Sequence, residues 1–532
     1  MPSEYHPNDA TSQCTNSLGR GGEIAVRTCI VVSFSMLMFG CSKHNHALSG
    51  TVEHDGKPIA GATVRVKGTT TFAKADHLGK FKLPLPTPDQ SVVVTASADG
   101  FYIGGCDFDS KNTNGKIDLT PLPTHDNEDY EWVDPTPDSH SPDRCGNCHP
   151  GIFDQWSSGA HATSANGLHL LDLYAGTNQL ASKPSSSDSK SWNMLRDRAE
   201  GIGVCTSCHA PSASIDELAI GDIRHVDGVA KQGVHCDFCH KVQSVSTKNV
   251  GITHGRFGMN LLRPEHGQLF FGPLDDVDRG EDVHGPHLSK SEYCAACHEG
   301  TLFGVHVYGT YTEWLRSPAR REGKQCQDCH MKPDGVTTNF APDNGGVERN
   351  PMTLASHQLF PGGKAAMLKG SLHVDVELRN VAEGQLASVT LTATKVGHRV
   401  PTGFVDRHLI LVIEGLDTNG NSIPATSGPT LPDSCGSLAR MPGKLFAKQL
   451  FGESGETPIP FWAEVFDEKD TRLIPHQPAR TDVHFPMEIQ SVRVRMIYRR
   501  FWESVEKEKG WPNGAIIVYD QVHPASSNSS AP

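Results

Sequence analysis

Cys145-Gly146-Asn147-Cys148-His149 is the stretch from which the fold of this chain follows, because its arrangement returns four more times. The copies are Cys205-Thr206-Ser207-Cys208-His209, Cys236-Asp237-Phe238-Cys239-His240, Cys294-Ala295-Ala296-Cys297-His298 and Cys326-Gln327-Asp328-Cys329-His330. The chain has 15 cysteines and 28 histidines among 532 residues. At that composition the C-x-x-C-H pattern arises by chance about 0.02 times. Two thiols one helical turn apart can form thioether bonds to the two vinyl groups on one edge of a haem, and the next residue sets an imidazole under the iron. The spacing therefore predicts five haems c held by Cys145, Cys148, Cys205, Cys208, Cys236, Cys239, Cys294, Cys297, Cys326 and Cys329, with His149, His209, His240, His298 and His330 as proximal iron ligands. Paired C-x-x-C units also build zinc sites, but zinc needs no histidine immediately after every pair. A thioredoxin-like redox motif is expected once per βαβ unit, not repeatedly within so short a region.

Density sets the architecture. Residues 145–330 give each haem about 37 residues, too few for separate globular folds, so the haems must pack together and serve as the interior, wrapped by short helices and loops. Composition agrees: only 37% of residues are apolar, while glycine and proline number 52 and 35. The total length predicts several domains. The net charge of −13, without a basic tail, argues against a nucleic-acid partner.

The flanks read differently. Arg20 and Arg27 precede an apolar run, Ile30 to Phe39, which is too short to span a bilayer and reads as a signal-peptide core. It ends Leu37-Met38-Phe39-Gly40-Cys41, which resembles a bacterial lipoprotein site with Cys41 as the lipidated residue, although Met38 stands where leucine is usual. Residues 1–41 are thus assigned to a signal peptide of lipoprotein type, cleaved so that Cys41 becomes the lipidated first residue, leaving an exported protein, periplasmic or membrane-anchored by lipid. Ala62, Val64 and Val66 alternate with Thr63, Arg65 and Lys67, as in a half-buried strand, and Lys80-Phe81-Lys82-Leu83 repeats the pattern. The string from Ser49 to Leu85 resembles the carboxypeptidase-regulatory-like β-sandwich, assigned to 47–103 with a spacer or docking role. Residues 104–140 read as a linker. Within it Asp107, Asp109, Asn112, Asn114, Gly115 and Asp118 suggest a calcium loop, but Pro121 falls where a bidentate Glu is required, so an ordinary polar turn is favoured over calcium. Alternation returns at Leu372, Val374, Val376 and Leu378 and at Val492, Val494, Met496 and Tyr498, predicting a second β-sandwich over 366–500. Residues 501–532 are left as a C-terminal segment with a disordered, serine-rich tail. The expected fold is multidomain: a small β-sandwich, a mostly α and loop haem-packed region over 141–365, and a C-terminal β-sandwich.

The strings DQWSSGAHA, GVHCDFCHKV, SEYCAACHE, TYTEWLRSPARREGKQCQDCHM, SHQLFPGG and GHRVPTG resemble the multihaem c-type cytochrome family in which the haem region precedes a β-sandwich. The resemblance runs from about residue 150 to 405 and continues through DEKDTRLIP to the YRR near 500. It implies an electron-transfer chain of bis-histidine haems. His161 lies in a W-x-x-S-x-H-A element with Gly159 where serine is usual. A largely helical 150–161 would set it about 18 Å from His149, too far to share one iron, so His161 is expected to serve a neighbouring haem. His398 in GHRVPTG sits on a turn able to project an imidazole, and His357 resembles another ligand position of the family; with His161 these are the expected distal ligands. For the two remaining irons the candidates are His287, His284, His306, His235, His254 and His169, with His287 and His306 placed first. Cys106 and Cys435 could pair in an oxidising compartment, and Trp156 and Trp314 are expected to pack against porphyrin.

Two functions remain open on the sequence. One is a non-catalytic electron carrier between redox donor and acceptor proteins. The other is a haem oxidoreductase with one open iron acting on a small nitrogen or sulfur compound such as nitrite, hydroxylamine or tetrathionate. All five motifs end in histidine, whereas the pentahaem nitrite reductases carry C-x-x-C-K at the catalytic haem, so no catalytic residue is assigned.

Overall fold

A computed structural model describes residues 47–84, 91–109, 111–183, 192–213, 221–359 and 365–524. These described residues belong to one compact unit. The segment read as a signal peptide, with Cys41, and the serine-rich tail beyond residue 524 lie outside the described residues. No described helix is long and apolar enough to cross a membrane.

The N-terminal sandwich is built by period-two burial. In Ala47–His54 and Thr63–Val66 every second residue is buried, and in Lys80–Pro84 Phe81 and Leu83 point inward while three neighbours face water. One sheet joins Lys57–Pro58, Ala47–His54 and Lys80–Pro84, with Asn114–Asp118 running parallel to Ala47–His54. The other orders Phe72–Lys74, Thr63–Val66, Val92–Ser97 and Gly104–Phe108. The two close on Leu48, Val52, Val64, Val66, Phe81, Leu83, Val94, Phe108 and Ile117.

The linker expected over 104–140 is corrected here. Gly104–Phe108 and Asn114–Asp118 are strands that complete both sheets; Asp, Asn and Gly there mask a short alternation that buries Phe108 and Ile117. Asp109 accepts the Lys111 and Asn112 backbone N–H groups (2.7 Å each), which makes the bend between those strands an Asx turn. Farther on, Tyr130 donates to Asp237 (3.0 Å) and Gln268 (2.6 Å), the Val133 N–H donates to Asp237 (2.8 Å), and Asp126 pairs with Arg263. This stretch wraps the third motif.

The sandwich is also fastened to the motif-bearing region. Arg65 forks onto Asp275 (2.6 and 2.9 Å), Lys67 meets Asp278 (2.5 Å), and the Gly68 N–H donates to Asp276 (2.8 Å), which Arg349 also holds. The module is thus locked in place through an acidic loop.

In the C-terminal sandwich Leu372–Val381, Gly384–Ala393 and Pro478–Phe485 form a three-stranded sheet. Facing it, a six-stranded sheet orders Asp467–Asp470, Gly443–Phe451, His408–Leu416, Ser491–Arg499 and Ile516–Pro524, with Ser422–Ile423 on the edge of His408–Leu416. Leu409, Leu411 and Ile413 face the sandwich core with Val494 and Met496. Ile410 and Val412 face the other way, into a cluster shared with Leu173, Tyr174, Val305, Val307 and Trp502. A strand buried on both faces explains the unbroken apolar run LILVI. The boundary expected at residue 500 is also corrected: Glu503–Lys509 is a helix and Ile516–Pro524 pairs antiparallel with Ser491–Arg499. Ile516–Pro524 lies at the sheet edge with most of its residues exposed or half-buried, which conceals its alternation.

Candidate functional site

The motifs sit on short helices: Cys145–Cys148, Thr206–His209, Cys236–His240, Glu292–His298 and Cys326–His330. Local chemistry sets the ends of three of them. Pro150 starts a new helix immediately after His149, leaving that histidine at the junction with φ −122° and ψ 55°. Cys326–His330 begins with a capping box between Gln325 and Asp328, and Cys236–His240 is capped by the His235 ring, which accepts from the Phe238 N–H (3.3 Å). A single turn suffices to set two thiols and an imidazole toward one side.

All five motifs open onto one continuous cavity of about 2290 Å³. Every motif cysteine and histidine lines it, as do His161, His357 and His398. The thiols also meet across motifs: Cys145 lies within hydrogen-bond reach of Cys236, Cys208 of Cys297, and Cys294 of Cys326. Tyr293 adds a link by donating to the Cys239 carbonyl (2.8 Å). In space the first motif adjoins the third, the third adjoins the fourth, and the fourth touches both the second and the fifth.

The imidazoles are prepared to act as ligands. Nδ1–H donates to a backbone carbonyl in His149 (Phe340, 2.9 Å), His209 (Ser164, 3.2 Å), His240 (Phe271, 2.6 Å), His357 (Ala355, 3.1 Å) and His398 (Arg399, 2.9 Å). Such a bond fixes the tautomer and leaves the Nε2 lone pair for a metal. Burial lowers the pKa of His161 and His357 to about 4 and of His298 to about 3, so these rings are neutral at pH 7. Burial also pushes the Cys205 thiol up to about 12 and Cys239 up to about 11. The residues present fit haem c: neutral imidazoles, paired thiols and an apolar-walled space.

Two histidine pairs face each other. The rings of His161 and His298 have centroids 6.2 Å apart, and those of His330 and His398 are 6.3 Å apart. The other sequence candidates are divided between the cavity wall and other surroundings. His306 Nε2 is 2.6 Å from a Glu299 carboxylate oxygen and faces a separate small hollow with Arg407, Lys448 and Arg472. His287 Nε2 donates to the Val242 carbonyl (2.7 Å), and His235 Nε2 meets Ser212 Oγ (2.9 Å). With their Nε2 atoms engaged, His287 and His306 are not presented as ligands, and neither borders the cavity. His235, His254 and His169 do border it, as does His476, which the sequence did not single out. Trp156 and Trp314 line the cavity and anchor their indole N–H groups on the Val234 and Lys324 carbonyls (2.9 Å each). Tyr308, Phe404, Phe461, Trp462 and Phe501 complete an aromatic wall that sequence periodicity could not reveal, since they sit on loops and strand ends. Cys106 and Cys435 are both free and belong to different cores, so the disulfide is not formed.

Comparisons with known proteins agree with this geometry. Residues 47–104 match the carboxypeptidase regulatory-like domain, and residues 144–241 match the family described as cytochrome c554 and c-prime. Among curated proteins nothing matches. Among solved structures the chain is similar to a penta-heme cytochrome c552 from Thermochromatium tepidum, with a TM-score of 0.51 and 22% identity, covering 71% of this chain and 97% of that one. The chain thus carries one segment similar to the carboxypeptidase regulatory-like domain and another similar to cytochrome c554 and c-prime, within a fold shared with the penta-heme cytochrome.

Proposed function

We propose that this chain is an exported electron carrier that holds five haems c along one cavity, most of them between two histidines. Convergence of all five motifs on that cavity, with thiols touching from motif to motif, is the observation that carries the reading. Bound haem supplies one-electron chemistry. The chain's own residues do the rest: the ten motif cysteines fix the position of each group, carbonyl-bonded imidazoles present Nε2, and the aromatic wall excludes water.

Two imidazoles on opposite sides of one metal ion, with bonds of about 2 Å and centroids about 1 Å behind each nitrogen, lie roughly 6 Å apart. His161 with His298 and His330 with His398 match that spacing at 6.2 and 6.3 Å. His161 then serves the fourth motif, a neighbour in space though not in sequence. His357, near both His149 and His240, is assigned to that end of the cavity, and His254 and His169 replace His287 and His306 as candidates for the remaining positions. Export, with Cys41 as a lipid anchor, belongs to the same reading and is supported by the Ile30–Phe39 run and the Gly40-Cys41 that follows it.

The mass of the denatured, matured protein is expected to include five haems; fewer would overturn the count. Carbon monoxide added to the fully reduced protein is expected to leave its spectrum unchanged, since a firmly held second histidine resists displacement. A response from about one haem in five would establish an open iron and favour an oxidoreductase acting on nitrite or hydroxylamine.

A further inference from the structure

We infer that the surface around the fifth motif is a docking face for an acidic redox protein; this rests on the electron-carrier reading and names the kind of partner it uses. Cys329 is the one motif cysteine that is exposed, so this end of the cavity comes nearest to the surface. Around it the charge reverses the sign of the whole molecule. Arg316, Arg320, Arg321, Lys324 and Lys332 are all exposed, and so is Lys395. Lys395 belongs to the same face, because Gly397 lies close against Ala319 and the His398 ring faces His330.

The acids of this stretch are already engaged. Glu322 pairs with Lys324 (2.7 Å), Asp328 accepts the Gln325 N–H (2.8 Å), and Asp334 accepts the Val336 and Thr337 N–H groups (2.8 Å each). Arg316, Arg320, Arg321, Lys332 and Lys395 form no salt bridge among the described residues. Beside these cations are two exposed apolar side chains, Leu315 at 43% and Val336 at 81%. Met352 (58% exposed) lies close to Gly335 and extends the apolar part.

The opposite end has the opposite charge. Near the first motif, Glu128, Asp129, Glu131, Asp143 and Asp154 are exposed and form no salt bridge among the described residues, while Arg144 is held by Asp134 and Asp138. The carrier is therefore polar along its cavity, acidic at the first motif and basic at the fifth.

An exposed apolar centre with a cationic rim matches the anatomy of a small, transient protein interface. The cations are spread along the rim of the cavity mouth, with Lys324, Lys332 and Lys395 at its edge and Arg316 and Arg321 outside it, an arrangement that suits a broad protein surface better than a small anion. Complementary charge raises the encounter rate and orients the partner, and both effects weaken as salt shortens the Debye length from about 30 Å at 0.01 M to about 8 Å at 0.15 M.

Flavodoxin, a small acidic redox protein, serves as the probe. Its hydroquinone is mixed in stopped flow with the oxidised, haem-loaded full-length protein, and complexes are trapped by carbodiimide coupling and mapped by mass spectrometry. The second-order rate is expected to fall about tenfold as salt rises over that range. Arg316→Glu with Arg321→Glu is expected to lower the low-salt rate about tenfold and to leave the high-salt rate unchanged. Glu128→Lys with Glu131→Lys is expected to leave the low-salt rate within about twofold. Cross-links are expected at Lys324, Lys332 and Lys395. A rate indifferent to the Arg316 and Arg321 reversals, cross-links on other faces, or low-salt self-association through this face in sedimentation would overturn the proposal. Reduction by dithionite is the control: if dithionite reduces the haems while flavodoxin ignores the basic face, docking fails alone, and if the protein lacks reducible haems the carrier reading fails with it.

Discussion

The N-terminal sandwich closes around Leu48, Val52, Val64, Phe81, Val94 and Phe108, each nearly sealed from water. The motif-bearing region holds only small apolar clusters of its own: Phe238, Val242, Met259, Leu261 and Ala296; Leu262, Leu269, Phe271 and Val283; and Ala295, Tyr311 and Trp314. What lies between them is the cavity of about 2290 Å³. A sheet pair carries its hydrophobic interior in its own side chains, whereas a chain of one-turn helices cannot, and its interior must come from elsewhere. The motif region is therefore a wall that takes its stability from what it encloses.

The largest test removes the enclosed group. When the full chain is produced without haem attachment, hydrogen exchange is expected to show lost protection over 144–357 and retained protection in the strands of 47–118. Protected motif helices in haem-free protein would break the distinction between the two regions. Next comes the polar pin that holds the wall at the third motif. Asp237 and Lys241 are fully buried and paired, and Lys241 also lies 4.1 Å from the Phe270 ring centroid. Asp237→Ala leaves a buried ammonium and removes the acceptor for Tyr130 and the Val133 N–H. A loss of about 3–5 kcal/mol is expected, read as a lowered unfolding midpoint of the haem-loaded protein. A loss under about 1 kcal/mol would mean that the haems alone support this wall.

A third test addresses the seam with the C-terminal sandwich. Asp406 is buried, its Oδ2 lacks a hydrogen-bond partner, and burial pushes its pKa up to about 8. A raised carboxyl pKa favours the neutral form, so this contribution to stability is complete below the ordinary value near 4 and is lost as pH rises toward 8. Asp406→Asn is expected to flatten the decline in melting temperature between pH 5 and 8 and to add on the order of 2–4 kcal/mol at pH 7. A variant whose pH profile parallels that of the parent would show that the carboxyl is not what the seam responds to.

The same contrast explains what the sequence disclosed. The five motifs carry their geometry in consecutive residues, and the sandwich strands carry theirs in alternation, so both were legible. Distal ligands come from distant segments. His161 was assigned to a neighbouring haem by helix length alone, but only the fold brings it to His298. His306 and His287 matched the residue type, yet a carboxylate and a carbonyl engage their Nε2 atoms. Strands such as Gly104–Phe108 and Ile516–Pro524 escaped notice because polar, glycine-containing or exposed positions blur period two.

The smallest expected effect lies where the two kinds of region meet. Arg65 and Lys67 stand on the sandwich and reach Asp275 and Asp278 of the acidic loop, with all four side chains between 15% and 19% exposed. Lys67 also borders the cavity alongside Asp143, Arg144 and Arg279, so the module forms part of the wall next to the first motif. Partly screened pairs of this kind contribute about 1 kcal/mol or less each. Arg65→Ala with Lys67→Ala is therefore expected to leave the melting temperature nearly unchanged while speeding hydrogen exchange in residues 275–282. Exchange in Val64, Val94 and their neighbouring strands should stay slow, because those residues are held by the sandwich's own core. If their protection falls together with the loop's, the module draws its stability from the wall it covers, and the two regions differ in degree and not in kind.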